Sequence, residues 1–451
     1  MASRWPRLIP LLAVLYVPFI GGGLLTDDFA HATRLSSLDG PARLIDQPDA
    51  FGFYRPVTQV SLAVAPGRRW ASPAQARAVN VVLHALVIAM AFLVSRLVLQ
   101  SASAAGLATL AFALTPKAPS IVVLWISARG ELLMALFSLA AIAAWIVWTR
   151  KGRAWWLAAA LAAYGLALLS KETATLLPLV LLLTPRSERP FAVRAGAVTG
   201  FVVLALVVYA WRSQTGALTP FAGDAHYSAA ISLTLWLRNA ANYAGRMIAA
   251  PVALIVLLGL ARLMNRPRPM TGLFVIPVDV FAFAATFVVL FLAPVLPISL
   301  RSELYLYLPV FGVCLIAGWL GSLLSDGLGA RSRTAAVAVS ILALGGYQIA
   351  RARDIQHDLR FSERLVEALR SSPLVANANQ SVLLVPADRS TEQSLQSAIG
   401  GYFYVVLQYA FAGPPRAGVV RYSGEPGQQA DVRLLCGYRQ IDGHVVISLA
   451  P

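Results

Sequence analysis

"ARAVNVVLHALVIAMAFLVSRLV" (76–98) decides the fold class. Residues 78–99 carry no formal charge before Arg96. An apolar run of about 20 residues is what an α-helix needs to cross the hydrocarbon of a bilayer. Asn80 and His84 lie four residues apart, on one face of such a helix. Polar groups inside a span usually face other protein rather than lipid. Comparable runs cover 7–25, 103–115, 132–149, 154–170, 173–184, 195–211, 243–263, 273–293, 304–324 and 333–350, about eleven in all. The 451 residues are 58% hydrophobic and only 13% charged, whereas soluble domains carry about a quarter charged residues. The chain therefore reads as a polytopic α-helical membrane protein. Residues 1–350 form its transmembrane domain, with a long first external loop over 26–77.

Residues 351–451 differ. Charge rises and no span fits. "RDIQHDLRFSERLVEALR" has helical periodicity, while "SVLLVPAD", "YFYVVLQYAF", "DVRLLCGY" and "HVVISLA" read as short strands between Gly/Pro turns. The expectation is a small C-terminal α/β domain. It holds His357 and His444, with neither a metal-ligand spacing nor a nucleophile motif.

The formal net charge of +16 belongs to loops rather than to a nucleic-acid surface, because no basic block is interleaved with aromatics. One set of connections carries Arg4, Arg7, Arg96, Arg150, Lys151, Arg153, Arg186, Arg189, Arg194, Arg262, Arg266, Arg268, Arg331 and Arg333. The positive-inside rule puts it in the cytoplasm. The opposite set carries Asp27, Asp28, Asp39, Asp46, Asp49, Glu131, Glu172, Asp224 and Glu303, which places it outside. The amino terminus reads as an uncleaved first helix that starts inside, and an odd span count leaves the C-terminal domain outside. Phe51, Phe53, Tyr54 and Trp70 suit the headgroup level of the first loop. Cys314 and Cys436 are not expected to pair.

At the end of the first helix stands "GGGLLTDDFAHATRL" (21–35), with two carboxylates at a membrane surface. Other charges close apolar segments on the same face: Lys117 in "PKAP", Arg129 and Glu131 in "ARGE", Lys171 and Glu172 in "SKET", Arg301 and Glu303 in "SLRSELYLY". Each has a plain reading as a solvated end, an interfacial ion pair or an aromatic-belt neighbour. Their convergence on one face suits a substrate that is both phosphorylated and hydroxylated.

In order and content these motifs resemble the GT-C superfamily of membrane glycosyltransferases, and among them the protein O-mannosyltransferases and the TPR-bearing transmembrane O-mannosyltransferases. The carriers are "LLTDDF", "FYRPVTQVSLAV", the 76–98 stretch, "LAFALTP", "WISARGELLMALFSLAA", "GLALLSKETATLLPLVLLL" and "RSELYLYLPVFGVCLIAGW", across about 1–325. The resemblance implies a polyprenyl-phosphate sugar donor, an acceptor outside the cytoplasmic membrane, and an aspartate of the first external loop as base. Two features depart from it. The family's His-Pro-x-His-x-Glu-like segment is "TPKAPS" here, and no TPR repeats follow residue 350.

Such a transfer needs a carboxylate to take the acceptor's proton, which selects Asp27, with Asp28 second. Two adjacent carboxylates also raise each other's pKa. Cations must gather the charge developing on the phosphate; the candidates are Arg55, Arg129, Lys171 and Arg301. Tyr54, Asn80 and His84 could orient hydroxyls, with Glu131, Glu172 and Glu303 as further sugar or acceptor contacts. The reading calls for no metal or other cofactor and leaves a divalent ion open. Two other activities fit the composition: a transporter or flippase for a lipid-linked sugar, and a lipid-phosphate transferase. Transporters place charges at mid-membrane on broken helices, whereas these charges sit at helix ends.

Overall fold

A computed structural model describes residues 9–38, 40, 42–64, 72–217, 232–264, 277–326, 328–375, 381–411, 418–420, 432–441 and 444–450. Arg4, Arg7, Asp39, Trp70, Asp224, Arg266, Arg268 and the side chain of His444 lie outside the described residues. Helix α1 (Ile9–Phe19) is wound as a 3₁₀ helix. The first loop follows as α2 (Asp27–Ser37), α3 (Arg43–Asp46) and α4 (Pro56–Val64). Then come α5 (Pro73–Leu99), α6 (Ala102–Ala113), α7 (Ala118–Leu124), α8 (Arg129–Lys151), α9 (Ala154–Ser170), α10 (Leu177–Leu182), α11 (Phe191–Gln214), α12 (Leu233–Met264), α13 (Val278–Leu292), α14 (Val310–Ser325) and α15 (Ala330–Ser371). Ser72 starts α5 by accepting a bond from the Gln75 amide, with Pro73 at the first helical position, the usual chemistry of a helix start.

Among the described residues six helices are long and apolar enough to cross a membrane. α6 and α7 make a seventh if they are counted as one span, bent by 64°. The other four segments read as spans are shorter apolar helices, so among the described residues helix length alone accounts for six or seven of the eleven. The bend has a chemical cause. Pro116 and Pro119 flank it, and Lys117 has φ 71 and ψ −55. The Ala118 amide bonds the Pro116 carbonyl at 2.9 Å. That is a γ-turn of the rare positive-φ kind, a strained conformation for a residue with a side chain.

The transmembrane helices pack around one apolar core that includes Phe112, Trp145, Phe201, Phe287 and Phe311. Gly318 of α14 lies against the Ala104 carbonyl and Ala108 of α6, closer than a Cβ would allow. Small residues permit this approach where helices meet in a bilayer. At the basic helix ends, Arg150 of α8 reaches the Leu97 carbonyl of α5, and Arg262 of α12 the Leu324 carbonyl of α14.

α15 is continuous over 42 residues. Residue 350, the expected boundary between the two domains, falls inside it. No Gly or Pro lies between Tyr347 and Ser371, so the last apolar helix runs straight into the helix expected of the C-terminal region. There, β1 (Val382–Pro386), β2 (Gly418–Val420), β3 (Val432–Ile441) and β4 (His444–Ala450) form a sheet of order β2-β1-β3-β4. β1 runs parallel to β2 and β3, and β4 is antiparallel to β3. α16 (Arg389–Ala398) and α17 (Phe403–Phe411) complete it. "YFYVVLQYAF", read as a strand, is α17. Its aromatic and β-branched content suits a strand, but Phe403, Val406, Leu407 and Ala410 are buried at helical spacing, and packing of that stripe decides the matter.

The C-terminal half of α15 presses on the triple glycine. The Gly23 amide bonds the Leu359 carbonyl at 2.9 Å, and Ser362 Oγ donates to the Leu24 carbonyl at 2.5 Å. A Cβ on Gly22 (φ +104) would sit 2.8 Å from Leu359 Cβ, and one on Gly23 2.8 Å from the Glu363 nitrogen. The glycines thus let the C-terminal part of α15 pack just before the two carboxylates.

Candidate active site

Asp27 and Asp28 open α2, in the first turn, where the helix dipole favours negative charge. Thr26 before them has φ 36, and its amide bonds the Ala398 carbonyl of α16 at 2.9 Å. The two carboxylates then diverge. Asp28 is fully buried. Its Oδ1 accepts from the Ser127 amide at 2.8 Å and from Ser127 Oγ at 2.5 Å, and its Oδ2 accepts from the Leu25 amide at 3.2 Å. Asp28 therefore fastens the first loop to the start of α8. Burial raises its pKa, against the bonds from Ser127 and the charge of Arg77.

Asp27 makes a side-chain hydrogen bond with Tyr402, and Asp28, Asp49 and Arg55 are the charges around it. Its carboxyl is pushed up to about 7. Burial is the largest cause; the Tyr402 bond opposes it, and Asp28 and Asp49 add to it. Repulsion between neighbouring carboxylates, the reason expected from the sequence, is thus secondary to desolvation. Asp49 itself shapes the loop, its Oδ1 accepting from the Phe51 and Phe53 amides at 2.9 and 3.0 Å.

Two ion pairs hold the helix ends on the Arg55 side of Asp27. Arg55 holds Glu172 in a two-pronged pair, Nε to Oε2 at 3.0 Å and Nη2 to Oε1 at 2.6 Å. The guanidinium also lies 3.8 Å over the Phe53 ring. Lys171 contacts Glu131, both buried, and Lys171 Nζ stands 5.5 Å from the Tyr305 ring centre.

Four residues expected to face substrate are occupied with the framework. Arg129 is fully buried, and its guanidinium donates to Asn80 Oδ1 at 2.8 Å and to the Ser61 and Ala76 carbonyls at 2.7 Å each. Asn80 Nδ2 reaches the Val123 and Trp125 carbonyls, both at 3.2 Å. His84 Nδ1 bonds the Tyr307 hydroxyl at 2.7 Å, inside the bundle. Tyr54 is buried with its hydroxyl at Trp211 of α11. A polar group so deep must be satisfied by protein, and these carbonyls and rings do it. Arg77, not singled out in the sequence, is a similar clasp: it reaches the Ile20, Gly22, Gly23 and Leu124 carbonyls. Arg301 forms no ion pair among the described residues and is not part of the cavity wall.

A cavity of about 430 Å³ opens beside this region. Its walls include Leu306, Ala249, Leu344 and Tyr347, and Lys117, Arg246 and Glu303 line it as well. Glu303 lies 3.1 Å from Lys117, 3.8 Å from Arg246 and 3.7 Å from Arg351. Three cations surround Glu303, and Arg351 also stands 3.9 Å from Asp354, which leaves a local excess of one positive charge. Glu303 Oε2 and Arg351 Nε are buried without a hydrogen-bond partner. The 3₁₀ turn Glu303–Leu306 carries Glu303 into the cavity and Tyr305 to Lys171, so cavity and ion pairs adjoin. Lys117 was seen in the sequence as one of the charges on this face. Arg246 and Arg351 were missed, since single arginines inside long helical runs carry no motif. Among the described residues, no group of three or more His, Cys, Asp or Glu could hold a metal ion.

No family model matches the sequence, and no curated protein matches it. Solved structures do. ArnT from Cupriavidus metallidurans bound to undecaprenyl phosphate aligns over 100% of this chain and 98% of its own, with TM-score 0.54 and 15% identity. ArnT from the same organism in the apo state aligns over 92% of this chain and 86% of its own, with TM-score 0.55 and 15% identity. At such identity the likeness is one of fold. These structural neighbours are GT-C glycosyltransferases, and the chain has their fold.

Proposed function

We propose that this protein transfers a sugar from a polyprenyl-phosphate donor to an acceptor outside the cytoplasmic membrane. Asp27 is the general base. The observation that carries this reading is a carboxyl pushed up to about 7, linked through the Arg55–Glu172 and Lys171–Glu131 pairs and Tyr305 to a largely apolar cavity lined by Lys117, Arg246 and Glu303, with Arg351 beside Glu303. Apolar walls suit an isoprenoid chain, and the surplus positive charge suits its phosphate. The ArnT structure holding undecaprenyl phosphate supports a carrier of that kind.

In the reaction the acceptor hydroxyl attacks the anomeric carbon. Its oxygen forms the new C–O bond, the bond from that carbon to the phosphate oxygen breaks, and the proton passes to Asp27. The leaving polyprenyl phosphate keeps the electron pair, and the cations stabilise that charge. Lys171 and Arg55 sit between base and cavity, already paired with Glu131 and Glu172. They lend charge at a distance, and the two glutamates offer acceptors to sugar hydroxyls. The orientation that goes with this reading puts the amino terminus in the cytoplasm of a cell with an inner membrane. The first loop and C-terminal domain then lie on the far side.

The test is turnover by the purified protein in vesicles with a synthetic polyprenyl-phosphate sugar and an extract of envelope acceptors. Sugar transfer lowered by about 10²–10⁴-fold in Asp27→Asn supports the reading. Transfer by Asp27→Asn at close to the wild-type rate, or movement of the lipid across the bilayer without transfer, overturns it.

A further inference from the structure

Among the described residues, the C-terminal region reaches Asp27 through Tyr402, in the turn between α16 and α17. That turn is fixed by its own backbone. The Gly400 amide bonds the Leu395 carbonyl at 3.1 Å, with Gly400 at φ +53, and the Tyr402 amide bonds the Ile399 carbonyl at 3.0 Å. The Tyr402 carbonyl then accepts from the Val405 and Val406 amides, which starts α17. The turn is docked on the residues around Asp27: the Thr26 amide bonds the Ala398 carbonyl, the Tyr402 ring meets Phe51 edge-on at 5.9 Å, and Tyr409 meets Phe29 at 5.3 Å.

We propose that Tyr402 is a positioning residue of the active site: its hydroxyl, brought by the C-terminal domain, donates to Asp27 and aims the carboxylate at the acceptor. The inference rests on Asp27 being the base. It gives the C-terminal domain a part in the chemistry, since a transmembrane domain lacking it would present the same carboxylate without this donor. The charged groups acting on Asp27 are Asp28 on its own helix and Asp49 and Arg55 on the rest of the first loop, and Tyr402 is hydrogen-bonded to it. Among them Tyr402 is the neutral donor bound to Asp27, so its removal changes one hydrogen bond and no charge.

Carbodiimide labelling of Asp27 tests this without any sugar substrate. Dicyclohexylcarbodiimide couples to protonated carboxyls, and peptide mass spectrometry reads the extent at residue 27 against pH, in the full-length protein. The wild type should titrate near pH 7. Tyr402→Phe keeps the ring against Phe51 and should move the midpoint up by about one pH unit, the scale of one hydrogen bond to a charged group. Tyr438→Phe removes another hydroxyl of the same domain, one bonded to His357 at 2.5 Å, and should leave the midpoint unmoved. An unchanged midpoint in Tyr402→Phe overturns the proposal. So does an equal shift in Tyr438→Phe, which would report a loosened domain. Failure of Asp27 as the base would show instead in the transfer assay, with the labelling midpoint still responding to Tyr402.

Discussion

Arg129→Met separates two roles for one residue. The sequence made Arg129 a phosphate ligand, whereas the structure makes it a clasp for three acceptors inside the bundle. Methionine keeps an unbranched apolar side chain and removes every donor. Asn80 Oδ1 and the Ser61 and Ala76 carbonyls then lose their partner in a place fully closed to solvent. Each orphaned acceptor costs about 1–3 kcal/mol, and relaxation keeps the total near the upper end for single substitutions, about 4 kcal/mol. With an unfolding entropy of about 2.1 cal/mol/K per residue, a chain of 451 residues carries about 0.95 kcal/mol/K. The melting midpoint should fall by about 4 °C in detergent. Differential scanning fluorimetry reads that fall, and donor KM measured on the folded fraction should stay close to wild type. A melting midpoint within a degree of wild type, together with a donor KM raised tenfold or more, would refute the clasp and restore the phosphate role.

Asp27→Asn should lower turnover by about 10²–10⁴, the usual span for a general base, with little change in melting. The base acts unprotonated, so with its pKa near 7 turnover should climb about tenfold per pH unit below that point and level off above it; a flat profile from pH 5 to 8 would remove Asp27 from the rate law. Lys117→Ala and Arg246→Ala should each raise the donor KM by roughly 10–100-fold, as expected for a lost charge-assisted contact, and kcat should move less. Reporter fusions after residues 152 and 360 should give opposite sidedness, and the same side for both would divide the acidic helix ends between the two faces.

Much of the fold was legible because the signals behind it are local. Apolar length and period marked the helices, and the basic ends of α8 and α12 were visible as charge runs. The site was legible in its carboxylates and less so in its cations. Arg55, Arg129, Lys171 and Arg301 look alike in sequence: one cation at the edge of an apolar segment. Burial and partner decide what each does, and both are set by residues 40 or more positions away, such as Glu131 for Lys171 and Glu172 for Arg55. Arg246 and Arg351 went unseen for the same reason: α12 and α15 meet α7 and the Glu303 turn only in three dimensions. The sequence of α17 misled through its valines and aromatics, because strand propensity is a preference for half-buried surfaces of any kind.

The two aspartates with which the first loop begins show how one residue type supplies both support and chemistry. Side chains at consecutive helical positions point about 100° apart, so Asp27 and Asp28 cannot share one environment. Asp28 turns inward and collects three donors from Leu25 and Ser127. Held by three donors, Asp28 is a strut for the start of α8, although burial raises its pKa as well. Asp27 turns toward the junction with the C-terminal domain, where burial is incompletely offset by its hydrogen bond and its pKa rises. A carboxylate in that condition can exchange a proton near neutral pH. The strut fixes the first turn of α2, and with it the direction in which Asp27 points. Asp28→Asn would keep the shape while weakening the bonds from Ser127, so its effect should reach turnover through the position of Asp27 and be smaller than that of Asp27→Asn itself.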